Sequence, residues 1–131
     1  MSNKLDKILA EISAGELFDK IAILEIKKVK ISNKEKLIDV EKELNSLNNT
    51  VGKFVPDQSN ISKHINNLKE INLKLWDIED GKRAAEKEKK FDANFIELAR
   101  NVYKLNDERA RIKLAINLSL KSNIREVKSY E

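Results

Sequence analysis

Residues 106–117 read NDERARIKLAIN, and the polar groups here keep step with the apolar ones instead of opposing them. At 100° per residue, Asn106, Arg109, Lys113 and Asn117 fall inside the arc of Phe95, Leu98, Val102, Leu105, Ile112, Ile116 and Leu120. Two other segments do the same. Glu25 and Lys28 lie within the apolar arc of Leu17, Phe18, Ile21, Ala22, Leu24 and Val29, and Asn72 and Glu79 project from the stripe of Ile61, Ile65, Leu68, Ile71, Leu75 and Trp76. An unpaired buried charge is costly, so the economical reading is that these groups meet one another. Glu25 and Glu79 are the expected carboxylate partners of Arg109 and Lys113, with Asn72, Asn106 and Asn117 filling the remaining hydrogen bonds.

Such a cluster has three uses. It can be a structural network that fixes helix register. It can line a pocket for an anionic small molecule, phosphorylated or carboxylated, with Arg109 and Lys113 as a cationic floor. It can also lie at a homodimer seam.

A metal site is the other chemistry the residue types allow. ELFD (Glu16, Asp19) and DIED (Asp77, Asp80) each set two carboxylates one helical turn apart, the spacing with which all-α nucleotide hydrolases hold Mg²⁺. Their order and separation do not match those enzymes, and Glu16 and Asp19 can simply serve a helix N-terminus, so no metal or other cofactor is expected. His64, the only histidine, has no cysteine or second histidine to share a zinc ion and reads as a packed surface residue. Three scattered glycines build no phosphate cradle. Trp76 at stripe spacing reads first as core or seam packing, with ligand stacking the second reading.

The elements that must hold these groups are helices, because one proline and three glycines leave little punctuation. SAGE (Ser13–Glu16) and SNKE (Ser32–Glu35) are capping boxes that open helices at about 14–30 and 33–49. The tight turn between them makes this pair antiparallel. TVGKFVPDQSN is a loop, a third helix runs from about 60 to 80 or beyond Gly81, and Asp92 caps a fourth over about 93–121, before a tail at 122–131. In the first helix Glu16, Asp19, Lys20, Lys27 and Lys30 lie opposite the apolar arc, with Ile23 among them. The expected fold is an all-α bundle of about four helices, two antiparallel hairpins in a single domain spanning 1–131, with a short strand or lead-in turn at 7–12.

Composition agrees. Of 131 residues 40% are hydrophobic and 37% charged, too periodic for disorder, and no apolar run nears the roughly 20 residues of a membrane span. MSNKLDKILAEIS does not read as a signal peptide, since Asp6 and Glu11 break its apolar stretch. The absence of cysteine excludes disulfides and thiolate metal sites and fits a cytoplasmic location. Net charge is +4, but the charges are interleaved, so solvated faces are expected and no nucleic-acid groove. The expected partner is a second copy or another helical protein.

The segments GELFDKIAILEIK (15–27), LWDIED (75–80), FIELARNVYKLNDERARIKLAIN (95–117) and EVKSY (126–130) together resemble an uncharacterised bacterial family of short proteins, a domain of unknown function. The resemblance covers nearly the whole chain apart from residues 50–70, and it implies no activity. It marks Glu16, Asp19, Lys20, Glu25, Trp76, Glu79, Asp80, Arg100, Tyr103, Asn106, Asp107 and Arg109 as parts of the family's words. The family's pattern often has proline where Ala14 stands and arginine where Gly81 stands, and the second departure leaves open whether helix 3 continues past Gly81.

Overall fold

The computed structural model describes residues 4–129, so Tyr130 of the EVKSY segment lies outside them. Four helices, α1 (Ala14–Lys30), α2 (Lys34–Phe54), α3 (Ser62–Glu88) and α4 (Ala93–Ser119), form a four-helix bundle with no strand among the described residues. Residues 4–12 take no regular form, and Leu5, Ile8 and Leu9 stand exposed there.

Three of the four helix starts follow capping chemistry, with one shift, while α3 begins after Ile61 with no side-chain cap. Ser13 caps α1 by accepting the Glu16 N–H, and Asp92 caps α4 by accepting the Phe95 N–H. The cap of α2 is Asn33, not the expected Ser32; the asparagine carbonyl accepts the Lys36 N–H and serves the same purpose one residue later.

One helix runs further than expected, and another takes the longer of the two courses left open. α2 continues to Phe54 instead of ending near 49, because buried Val51 draws its last turns onto the core and Gly52 meets no neighbour that would object. α3 passes through Gly81 and the charged run to Glu88, then reverses at Lys89, whose φ of 55° is left-handed, with Lys90 N–H closing onto the Ala85 carbonyl. A Cβ at Gly81 would sit 3.3 Å from Leu98 Cδ1, a tight contact that the end of this flexible side chain can relieve. α4 ends at Ser119, two residues early, where Ser122 N–H returns to the Asn117 carbonyl.

α1 is the hub. It packs against α2, α3 and α4, whereas α2 meets no other helix than α1, and α3 pairs with α4 along the hairpin. Leu17, Phe18, Ile21, Ala22 and Leu24 supply nearly half of the buried apolar side chains, joined by Val40, Leu44, Val51, Ile61, Leu68, Ile71 and Ile116. Val29, expected inside, is exposed near the end of α1. α3 and α4 hold 27 residues each, about 40 Å at 1.5 Å per residue, and outrun the 17 residues of α1. Their far ends therefore have only each other, and Phe95, Leu98, Val102 and Leu105 are just half-buried.

Candidate functional site

A helix packed on three sides keeps little solvent face along its middle, and this reverses the expected orientation of Asp19. The residue is 0% exposed, held between α3 and α4. Arg109 donates to both carboxylate oxygens, Nε to Oδ1 at 2.9 Å and Nη2 to Oδ2, and Asn72 Nδ2 donates to Oδ1 at 2.9 Å. Burial alone would push this carboxyl up, but the hydrogen bonds from Arg109 and Asn72 and the charges of Arg109 and Lys113 outweigh it and hold Asp19 below the ordinary carboxylate range. The hydrogen bond to Asp19, followed by the charges of Asp19 and Glu16, raises Arg109 in turn against its own burial.

The first turn of α1 meets the last turns of α4 at very close range. A Cβ on Gly15 would collide with the Lys113 backbone, 3.0 Å from its Cα and nearer still to its carbonyl, so only glycine allows this crossing. Asn117 Oδ1 accepts the Gly15 N–H at 2.6 Å, and Ser122 Oγ accepts the Ala14 N–H at 3.0 Å. With Ser13 taking the Glu16 N–H, three of the amides that a helix start leaves unpaired are satisfied. The Glu16 carboxylate does not return to the cap as a capping box requires; it takes Lys113 Nζ at 2.6 Å.

Lys113 gathers three carboxylates: Glu16, Glu126 at 3.7 Å and Asp19 at 3.9 Å. Glu126 also accepts from Ser13 Oγ at 2.5 Å, which straps the tail across the start of α1. The cluster thus joins residues of three of the segments that carry the family resemblance. Glu16, Asp19 and Glu126 thus engage Arg109 and Lys113 within the chain.

The pairing expected for two of the carboxylates is overturned. Glu25 pairs with Lys69 at 2.9 Å and Glu79 with Lys82 at 3.2 Å, both at the surface, and neither meets Arg109 or Lys113; Lys28 is exposed. Both glutamates fall inside the apolar arcs of their helices, but their long side chains turn outward to lysines at the surface. Asn72, Asn106, Arg109, Lys113 and Asn117 do converge, around Asp19 and Glu16. The missed members are Asp19, Glu16, Ser13 and Glu126. One signal pointed to them: Ile23 lies on the supposedly solvated face of α1, and an isoleucine among charges marks a covered face.

The two acidic pairs stand in different surroundings. Glu16 and Asp19 face cations, while Asp77 is exposed and Asp80 stands at a groove rim. Among the described residues no group of three or more acidic or histidine side chains converges as a hard cation needs.

Two surface grooves adjoin the cluster, and a third lies apart from it. One of about 490 Å³, between α3 and α4, is lined by Ile23, Leu75, Trp76 and Val102 with Asn72, Asn106, Arg109, Glu79, Asp80 and Arg83 around them. A second, of about 710 Å³, runs between α4 and the tail past Lys113, Asn117, Glu126 and Val127. The third, about 290 Å³ and nearly all apolar, lies between α1 and α3 beside the Glu25–Lys69 pair.

The fold and cluster define a class: an all-α bundle whose central helix is bolted to its longest hairpin by a buried ion-pair network. The chain belongs to the Family of unknown function (DUF6165), whose match spans residues 8–131. No curated protein and no solved structure matches it. No helix among the described residues is long and apolar enough to cross a membrane.

Proposed function

We propose that the chain is a helical module that works by association, with a second copy of itself as the partner. The observation that carries this reading is a second apolar stripe on α4. Ile96, Tyr103, Ala110, Leu114 and Leu118 fall within an arc of about 80°, turned away from the core arc of the same helix. The four large ones are about half exposed, and Val127 of the tail continues the patch across the groove beside Leu114. A stripe about 33 Å long at 1.5 Å per residue is an unusual thing to leave in water.

Surface area and charge support a second copy. The structure exposes 9977 Å², against roughly 7,100 Å² for a compact monomer of 15.1 kDa. The extended ends contribute to this surplus, and it exceeds the ~800 Å² that each partner gives to a standard interface. Asp107, on the stripe, has Arg100 two turns before it and Arg111 one turn after, so an antiparallel copy can set a cation against each Asp107. Asp19, Asn72 and Asn117 are buried within one chain, so the seam lies on this outer stripe and not on the polar cluster, whose part is to hold α4 rigid. A cysteine-free chain suits the reducing cytoplasm as the place where this happens.

Light scattering across a concentration series tests the reading. The expected mass is twice 15.1 kDa, falling to the monomer in a Leu114→Glu, Leu118→Glu variant that keeps its helical circular dichroism. A monomeric mass for the unaltered chain at every concentration overturns it, and would leave another helical protein as the partner to seek.

A further inference from the structure

We infer that the groove between α3 and α4 is a binding site for a planar heterocycle that carries a hydrogen-bond donor beside an acceptor, the edge that nucleobases present. The inference is independent of self-association, because the groove and the outer stripe use different faces of α4.

The argument starts from the polarity of the buried ion pair. An ionised Asp19 only accepts hydrogen bonds, so Asn72 must turn its NH₂ toward it and its carbonyl away. Arg109 only donates, so Asn106 must turn its carbonyl toward Nη1, at 3.3 Å, and its NH₂ away. Ordinarily the orientation of an amide is ambiguous; here the two charges fix both. Asn72 is 6% exposed, its Oδ1 accepts nothing from the described residues, and no fully buried side-chain oxygen or nitrogen lacks a partner. That oxygen therefore opens on the groove that Asn72 lines. Asn106 Nδ2 likewise has no partner among the described residues and borders the same groove.

The floor thus offers one carbonyl acceptor and one amide donor, and the ion pair beneath keeps either from rotating to satisfy itself. A ligand edge with donor and acceptor side by side matches both, as adenine, cytosine, guanine and uracil each do. The walls suit a flat ring. Leu75, Val102 and Ile23 are apolar, Trp76 supplies an aromatic surface for stacking, and 490 Å³ lies within the ordinary size range of small-molecule sites. A simple anion fits worse, because Glu79 and Asp80 share the rim with Arg83 and the Arg109 charge is committed to Asp19.

Trp76 is the only tryptophan in the chain, so its fluorescence reports directly on the groove. The experiment titrates the four common nucleosides, with N6,N6-dimethyladenosine as a control that keeps the ring but loses the donor. The expected result is a saturable change in Trp76 emission with at least one nucleoside, weakened tenfold or more in Asn106→Leu. If adenosine is the ligand, the dimethylated control binds correspondingly weakly. Circular dichroism confirms that Asn106→Leu is folded, and a Trp76→Phe variant, read by thermal shift, serves as a second test if it is not. No saturable response up to millimolar nucleoside overturns the inference, as does equal binding by Asn106→Leu or, where adenosine binds, by the dimethylated control. With Trp76→Phe, an undiminished thermal shift overturns it and a weakened one supports it.

Discussion

Replacing Arg109 by methionine isolates what the ion pair contributes. The change keeps most of the side chain's bulk and removes the only group among the described residues that contacts both oxygens of Asp19. Asp19 then remains fully buried with one amide donor, Asn72 at 2.9 Å, and one distant cation, Lys113 at 3.9 Å. Breaking a buried pair from one side costs roughly 3–5 kcal/mol, and the surviving partners, with the part-exposure of Arg109, point to the lower end, about 3 kcal/mol. At ~2.1 cal/mol/K per residue, unfolding 131 residues carries about 0.28 kcal/mol/K, so Tm should fall by about 11 °C. The loss should also depend on pH, with a definite sign. In the unaltered chain Asp19 is held below its unfolded value of ~3.9, so its contribution is present above that value and lost as pH falls through the folded one. In Arg109→Met burial pushes the carboxyl up, so the variant is least stable relative to the parent near neutral pH and recovers part of the difference toward pH 5. Thermal unfolding at pH 7 and pH 5 reads both effects, and Asp19→Asn in the Arg109→Met background should restore much of the loss. An Arg109→Met midpoint within 2 °C of the parent, with no pH dependence, would refute the burial and pairing on which the reasoning stands.

The two helical glycines near close crossings should respond in opposite directions. Gly15→Ala drives a Cβ into the backbone of Lys113, which cannot move aside, and should cost about 2–3 kcal/mol in urea unfolding. Gly81→Ala meets only the end of the Leu98 side chain at 3.3 Å, which can turn away, so the helix propensity gained should stabilise by about 0.5 kcal/mol.

Helix number and spacing were legible because capping residues and apolar periodicity are local properties. Ser13 and Asp92 made their caps as read, and the α3–α4 hairpin follows from two long periodic segments. The polar residues on α3 and α4 were also legible: Asn72, Asn106, Arg109, Lys113 and Asn117 do come together. Their partners were not. A helical projection assumes one buried face, and α1 has three, so Asp19 was placed in water when it lies at the centre. Glu126 was hidden for a different reason, since nothing local ties a tail to a helix start more than a hundred residues away. The end of α3 was left open at Gly81, because one glycine costs a helix only about 1 kcal/mol and the structure carries the helix through it.

The account rests on a carboxylate that stays charged inside the bundle, fixing α4 and orienting the two amides above it. The most direct measurement is the carboxyl carbon shift of Asp19 by NMR, followed through an acid titration of the native protein. We predict a midpoint below the ordinary ~3.9, moving upward in Arg109→Met. A midpoint at or above the ordinary value in the unaltered chain would contradict the buried pair and everything built on it.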